Sequence, residues 1–180
     1  MNTATLEALG RRITTLRQAR GLSLSALAVK AGVAKSNLST LEQGRGNPTF
    51  DTIWRLAKQL EVPFSALIAT EAGMASSVID NGMHITLLDR GDSAQPIDAY
   101  LMRIEAGASR LAEPHTANSK EHIMVLKGTV EVGSHDATQR LGPGETIRFA
   151  ADRIHVYRAF DDDVALLVTI IYPCAKDYPV

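Results

Sequence analysis

Residues 21–44, GLSLSALAVKAGVAKSNLSTLEQG, constrain the fold of this chain more than any other segment. Apolar residues recur at helical spacing on both sides of Gly32, which indicates two short amphipathic helices joined by a turn. Glycine adopts a positive φ without steric cost, and the small residue Ala28 lets two helices cross closely near a right angle. The segment therefore predicts a helix-turn-helix.

The second helix of this motif carries polar side chains on the face that points away from the core. These side chains belong to Lys35, Ser36, Asn37, Ser39 and Thr40. Hydrogen-bond donors and acceptors on such a face can meet base edges in the major groove of DNA. The alternative interpretation is an ordinary solvated helix surface.

The flanking sequence predicts three more helices. One precedes the motif, and another begins near residues 48–51. Their apolar stripes are Leu6, Leu9, Ile13 and Leu16 in the first and Ile53, Leu56, Ala57 and Leu60 in the second. A short fifth helix is expected after Pro63.

Residues 9–68 resemble the XRE family of phage-repressor-like DNA-binding domains, which form a five-helix bundle. The resemblance implies that Lys35, Ser36 and Thr40 face bases, with Asn37 nearby. It also implies that two residues beyond the recognition helix, Gln43 and Arg45, contact phosphate.

The same resemblance implies an ion pair between Arg17 and Glu42. The chain departs from the family at Ala34, where a Ser or Thr usually caps the recognition helix. Loss of such a cap costs about 1 kcal/mol, so the start of this helix is expected to be loose before DNA binds.

Charge is divided unevenly along the 180 residues. Residues 1–72 contain nine Lys and Arg against five Asp and Glu, whereas residues 73–180 contain ten against fifteen. The positively charged first part can bind DNA phosphate, and the acidic remainder is expected to lie away from DNA because the phosphates repel it. We therefore predict a DNA-binding domain at 1–72, a linker at 73–81 and a second domain at 82–180.

The second domain is predicted to be all-β. Helical patterning stops near residue 70, and short β-like runs follow between Gly, Pro, Asp and Asn residues. Such runs include HITLL, YLMRI, HIMVL, TVEV, TIRFA and VALLVTIIY. The fold class is thus α + β in two domains.

Residues 107–128 and 141–155 resemble the two motifs of the cupin superfamily, whose fold is a double-stranded β-helix, or jelly-roll, barrel. The resemblance places His115, Glu121 and His155 at three metal-ligand positions. Ala117 occupies the position where these motifs usually carry another histidine. His122 follows Glu121 directly and should point out of the barrel by strand alternation.

Two imidazoles and one carboxylate can hold one divalent metal, such as Zn, Fe, Mn or Ni. The alternative is a metal-free pocket in which the two histidines hydrogen-bond an organic effector. The single cysteine, Cys174, has no second cysteine with which to form an internal disulfide.

A helix-turn-helix followed by a cupin resembles bacterial one-component regulators, in which the β-domain dimerises and binds a small-molecule effector. The expected partner is a palindromic double-stranded DNA operator, read by a homodimer acting as a repressor. One alternative is a metal-dependent cupin dioxygenase or isomerase that carries a DNA-binding module. Another is an inert dimerising cupin.

The sequence predicts a cytoplasmic protein without a membrane partner. Its longest apolar run, residues 164–171, is far shorter than the roughly 20 residues that a membrane-spanning helix needs. The amino terminus also lacks the basic stretch and apolar core of a secretory signal.

Overall fold

The computed structural model describes residues 3–69, 77–91 and 96–173. The chain divides into two compact units, residues 1–78 and residues 79–180. Cys174 and residues 73–76 of the predicted linker lie outside the described residues. Among the helices described, none is long and apolar enough to cross a membrane.

Residues 3–69 form five helices around one apolar core. They are α1 (Thr3–Ala19), α2 (Leu24–Ala31), α3 (Lys35–Glu42), α4 (Phe50–Gln59) and α5 (Phe64–Ile68). The predicted stripes supply much of this core, which includes Leu9, Ile13, Leu27, Leu38, Leu41, Ile53, Leu56 and Leu60. Trp54 stacks on Phe64 with ring centroids 4.2 Å apart, which joins α4 to α5.

Two glycines set the path of the chain around α3. Gly32 ends α2 with a φ of +62°, and the N–H groups of Gly32 and Val33 donate to the carbonyls of Val29 and Ala28. This arrangement matches the turn predicted from the sequence. At Gly10, a Cβ would lie 2.5 Å from the carbonyl oxygen of Leu41. Close approach of α1 to the end of α3 therefore requires glycine there.

Within residues 77–91 and 96–173, ten strands follow the helices. They are β1 (Ser77–Asp80), β2 (Met83–Arg90), β3 (Ile97–Ile104), β4 (Ser109–Ala112), β5 (Lys120–Lys127), β6 (Val130–Ser134), β7 (Ala137–Leu141), β8 (Thr146–Ala150), β9 (His155–Ala159) and β10 (Val164–Ile171). A six-stranded sheet has the order β1-β2-β3-β10-β5-β8, and a four-stranded sheet has the order β4-β9-β6-β7. The second unit is thus a β-rich, cupin-like domain with antiparallel sheets.

Each predicted β-like run overlaps a strand, but four of the described strands, β1, β4, β7 and β9, lie outside these runs. The strand β1 lies inside residues 73–81, the segment predicted as the linker. Both β1 and β4 have four residues, of which only one is buried, so neither carries an alternating apolar pattern. The strand β7 buries only Leu141 among its five residues. In β9 the buried positions include His155 and Tyr157, so the apolar pattern is hidden.

Candidate functional site

The helix α3 presents the predicted polar side chains on the side opposite its core contacts. Lys35, Ser36 and Asn37 are exposed, while Ser39 and Thr40 are half-buried. The Thr40 hydroxyl donates to the Ser36 carbonyl at 2.9 Å, which leaves its oxygen available as an acceptor. This face therefore offers donors and acceptors of several kinds.

Two exposed side chains beyond the end of α3 are joined to this face. The Arg45 guanidinium donates to the side-chain oxygen of Gln43, whose amide lies 3.4 Å from the Ser39 hydroxyl. A groove of about 290 Å³ continues from here, and the polar residues in its mixed lining are Asn37, Thr40, Arg45, Asn47, Thr49 and Thr52. Sequence reasoning missed the last three because they lie in a loop and at the start of α4, outside any helical repeat.

The Arg17–Glu42 pair holds the end of α3 against α1. The guanidinium makes two parallel contacts with the carboxylate, at 2.6 and 2.8 Å, and donates to the Leu22 carbonyl at 2.8 Å. The hydrogen bond to Glu42 raises the pKa of Arg17, although burial opposes this shift. Bidentate pairs of this kind are geometrically specific, so the pair fixes the orientation of α3.

The start of α3 lacks the side-chain cap that the neighbouring helices have. Ser23 caps α2 by accepting from the Ala26 N–H, and Thr49 caps α4 by accepting from the Thr52 N–H. Ala34 occupies the same position before α3 and makes no such hydrogen bond. The helix α3 therefore begins without a side-chain cap, as the alanine at position 34 predicts.

In the β-rich unit, three buried side chains come together from separate segments. Glu121 lies on β5, His155 begins β9, and His115 lies in the loop before β5. The backbone N–H of His115 donates to the Ala151 carbonyl, which ties this loop to the end of β8. The candidate ligand atoms of the three residues all lie within 4.8 Å of one another.

The carboxylate of Glu121 is the centre of this cluster. Its Oε1 lies 2.7 Å from His115 Nε2 and 3.5 Å from His155 Nε2. Its Oε2 accepts a hydrogen bond from the Tyr157 hydroxyl. His155 Nδ1 lies 2.9 Å from the Arg153 carbonyl, so the opposite nitrogen, Nε2, faces the carboxylate.

Burial and charge shift the pKa values of the cluster in different directions. Burial lowers the pKa of His115 more than Glu121 raises it. For His155, burial lowers the pKa, but the nearby Glu121 carboxylate outweighs this effect and raises it. Burial alone would raise the pKa of Glu121, yet the two histidines hold it well below its usual range.

The donor set fits a divalent metal ion. Two imidazoles and one carboxylate suit Fe, Zn, Mn or Ni, and a backbone carbonyl behind one histidine is a common way to orient a metal-binding ring. His155 Nε2 is fully buried and makes no hydrogen bond within the described residues. The buried hydroxyl of Ser119 likewise makes none there.

The remaining histidines within the described part of the chain are not members of this cluster. His122 is exposed, as strand alternation predicts, and His135 lies in the exposed turn between β6 and β7. His84 Nε2 lies 3.2 Å from Glu105 Oε1. Ala117 is exposed on a turn, so that position adds nothing to the buried set.

Tyr157 also belongs to this cluster, and the sequence analysis did not connect it with Glu121. Its ring lies edge-on to that of His155, with centroids 5.7 Å apart. Tyr157 follows His155 by two residues, and this spacing places both side chains on one face of a strand. That signal becomes readable only once β9 is known to be a strand.

Comparisons with known proteins match both parts of the chain. Residues 8–68 match the family described as a helix-turn-helix domain, and residues 100–171 match the cupin domain family. The HTH-type transcriptional regulator SutR of Escherichia coli (strain K12) is 36% identical over 160 residues, or 85% of this chain and 90% of that protein. The HTH-type transcriptional repressor RghR of Bacillus subtilis (strain 168) is 36% identical over 64 residues, or 35% of this chain and 47% of that protein.

A solved structure agrees with the sequence relationship over nearly the whole chain. The crystal structure of an HTH_3 family transcriptional regulator from Vibrio cholerae has a TM-score of 0.85 and 29% identity, and covers 96% of this chain and 99% of that one. This chain therefore belongs to the XRE-type HTH transcriptional regulators that carry a cupin domain.

Proposed function

We propose that this regulator is a homodimeric repressor that reads a palindromic operator and responds to an effector bound in its cupin domain. The observation that carries the proposal is the exposed polar face of α3, held in a fixed orientation by the Arg17–Glu42 pair. A recognition helix needs both properties, because base contacts require side chains in a set geometry. One of the relatives, RghR, is named a transcriptional repressor, which supports repression rather than activation.

We assign the DNA contacts along this face. Lys35, Ser36 and Thr40 contact bases, with Asn37 and Ser39 beside them. Gln43 and Arg45, which follow the end of α3, bind phosphate. Ala28 and Gly32 serve the crossing of α2 and α3, and neither contacts DNA.

Dimerisation follows from the small size of one helix-turn-helix. A single module makes few base contacts, so useful specificity needs two half-sites about one helical turn, roughly 34 Å, apart. In this proposal residues 1–72 form a five-helix DNA-binding domain, and residues 82–180 form a jelly-roll barrel that dimerises. Residues 73–81 connect them and include the strand β1.

His115, Glu121 and His155 would hold one divalent metal, with Zn, Fe, Mn and Ni as the candidates. The bound ion would supply open coordination positions for an oxygen- or nitrogen-bearing small molecule. Such a ligand changes operator affinity only by binding the DNA-competent and incompetent dimers with different affinities. We assign no catalytic residue and place the protein in the cytoplasm.

Selection of duplexes from a random DNA library by the full-length chain tests DNA reading. The proposal expects enrichment of an inverted repeat whose half-sites are separated by about one helical turn. A parallel selection with Lys35→Ala provides the control and should lose bases within each half-site. Recovery of unenriched DNA by the wild-type protein would overturn the proposal.

Elemental analysis of untagged protein purified without chelator tests the metal assignment. Near-stoichiometric metal in the wild type, absent from His155→Ala, would support the three-ligand site. If the wild-type protein binds none of the candidate ions when they are added back, the metal assignment is wrong. The alternative, a metal-free pocket that binds an organic effector, then remains.

A further inference from the structure

We infer that Tyr157 is a positioning residue, which holds one oxygen of Glu121 so that only the other oxygen is available to a metal ion. The inference rests on the metal-binding part of the proposed function. It assigns to Tyr157 a role beyond filling the core, and it specifies how Glu121 binds the ion.

The first step concerns where the tyrosine hydroxyl points. Tyr157 is 2% exposed and shares the inward face of β9 with His155. Its hydroxyl donates to Glu121 Oε2, across from β9 to β5. A buried hydroxyl with a charged acceptor is strongly oriented, because loss of that partner leaves both groups unsatisfied.

The second step concerns the other carboxylate oxygen. Both imidazole Nε2 atoms lie nearest to Oε1, at 2.7 Å for His115 and 3.5 Å for His155. An ion held by the two Nε2 atoms would therefore meet Oε1, while Oε2 stays with Tyr157. Binding through both oxygens of Glu121 would require the Tyr157 hydrogen bond to break.

The consequence is a set of three ligand atoms, one from each of His115, Glu121 and His155. Two histidines and one carboxylate that binds through a single oxygen leave several positions of a six-coordinate ion open. Without Tyr157, Glu121 can rotate or bind through both oxygens, which removes one of these open positions. Outer hydrogen-bond partners of metal ligands typically contribute about 10–100-fold to metal affinity.

Co(II) titration of the full-length protein, followed by visible absorption, tests this role. Tyr157→Phe removes only the hydroxyl, and we expect the Co(II) dissociation constant to rise about 10–100-fold. The absorption bands of bound Co(II) should also change, because the coordination of Glu121 changes. Loss of packing alone would not alter these bands.

Tyr100→Phe is the matched control. Tyr100 is equally buried, and its hydroxyl donates to Asp98 Oδ2 at 2.8 Å on β3, outside the cluster. This variant should keep the wild-type Co(II) affinity and spectrum. The inference is overturned if Tyr157→Phe also keeps both.

Two further results remain decisive. A wild-type protein that binds no Co(II) would overturn the metal part of the proposed function and this inference with it. If Tyr157→Phe does not fold, a crystal structure of the Co(II)-loaded wild type decides the question. One Glu121 oxygen on the ion, with Tyr157 on the other, supports the inference, and both oxygens on the ion overturn it.

Discussion

Among single residues, Lys35 and Ser36 are expected to recognise sequence. Replacement of either by Ala should weaken binding to the selected operator by about 1–3 kcal/mol and affect random DNA far less. Fluorescence anisotropy with both duplexes at one salt concentration measures the difference. Lys30→Ala, which replaces an exposed lysine on α2, provides the control, and equal losses on both DNAs would exclude base reading.

Arg45 is expected to contact phosphate, so its contribution should not depend on sequence. Arg45→Ala should weaken binding to all duplexes and reduce the magnitude of the salt slope of log K by about 1, as one lost phosphate contact predicts. Titrations at several salt concentrations measure the slope. An unchanged slope would show that Arg45 makes no phosphate contact.

His155 should make the stability of the metal-free cupin domain depend on pH. In the folded protein the pKa of His155 lies above the ordinary value of 6.5, because Glu121 raises it more than burial lowers it. The resulting stabilisation is complete below pH 6.5 and disappears as pH rises through the folded pKa. His155→Gln should therefore destabilise the domain more at about pH 5.5 than at about pH 9.

Thermal unfolding with chelator present, followed by near-UV circular dichroism of the tyrosines, checks this dependence. The lower of the two pH values lies above 4.5, the ordinary pKa of a glutamate. Because the pKa of Glu121 is lowered in the folded protein, the stabilisation that Glu121 contributes is lost only at more acidic pH. His115, whose pKa is lowered, is present in both proteins and contributes in the opposite direction. A destabilisation that is equal at both pH values would contradict the His155–Glu121 ion pair.

At the level of secondary structure, α3 begins without a side-chain cap, which α2 and α4 both have. Ala34→Ser should stabilise this unit by about 1 kcal/mol, because a serine hydroxyl can accept from the N–H groups of the first turn. Trp54, the single tryptophan, lies on α4 and reports urea unfolding of this unit.

Ala19→Ser is the control for this substitution. Ala19 is exposed and is the last residue of α1. At this end of a helix the carbonyl groups lack helical partners, whereas the N–H groups are already bonded. A serine there should not stabilise the unit. Equal urea midpoints for Ala34→Ser and the wild type would contradict the missing cap.

The helices could be predicted more completely than the strands. Each predicted stripe repeats over two or more turns, and Gly32 marks the end of α2 through its positive φ. The strand β9 escaped detection because a histidine and a tyrosine occupy its inward positions. The strand β1 buries only one of its four residues, so no apolar alternation marks it in the sequence.

The candidate site could also be predicted only in part. The motif resemblance gave His115, Glu121 and His155, and the structure brings all three together. The contact of Tyr157 with Glu121 joins residues 36 positions apart, so no local pattern reveals it. Gly10 was missed likewise, because its need for a small residue arises from α3, which lies far along the chain.

At the level of the whole molecule, a cationic helical unit is followed by an acidic β-rich unit that carries a buried polar cluster. The charge division limits phosphate attraction to the part that reads DNA. Two copies of α3 on one palindrome would supply the specificity that a single helix lacks.

The most direct test is the affinity ratio of the full-length protein for the selected operator and for a duplex of equal composition with shuffled half-sites, both at near-physiological salt. We expect a ratio of at least about 10³, with two protomers bound per operator. A ratio near one would contradict sequence-specific recognition by α3.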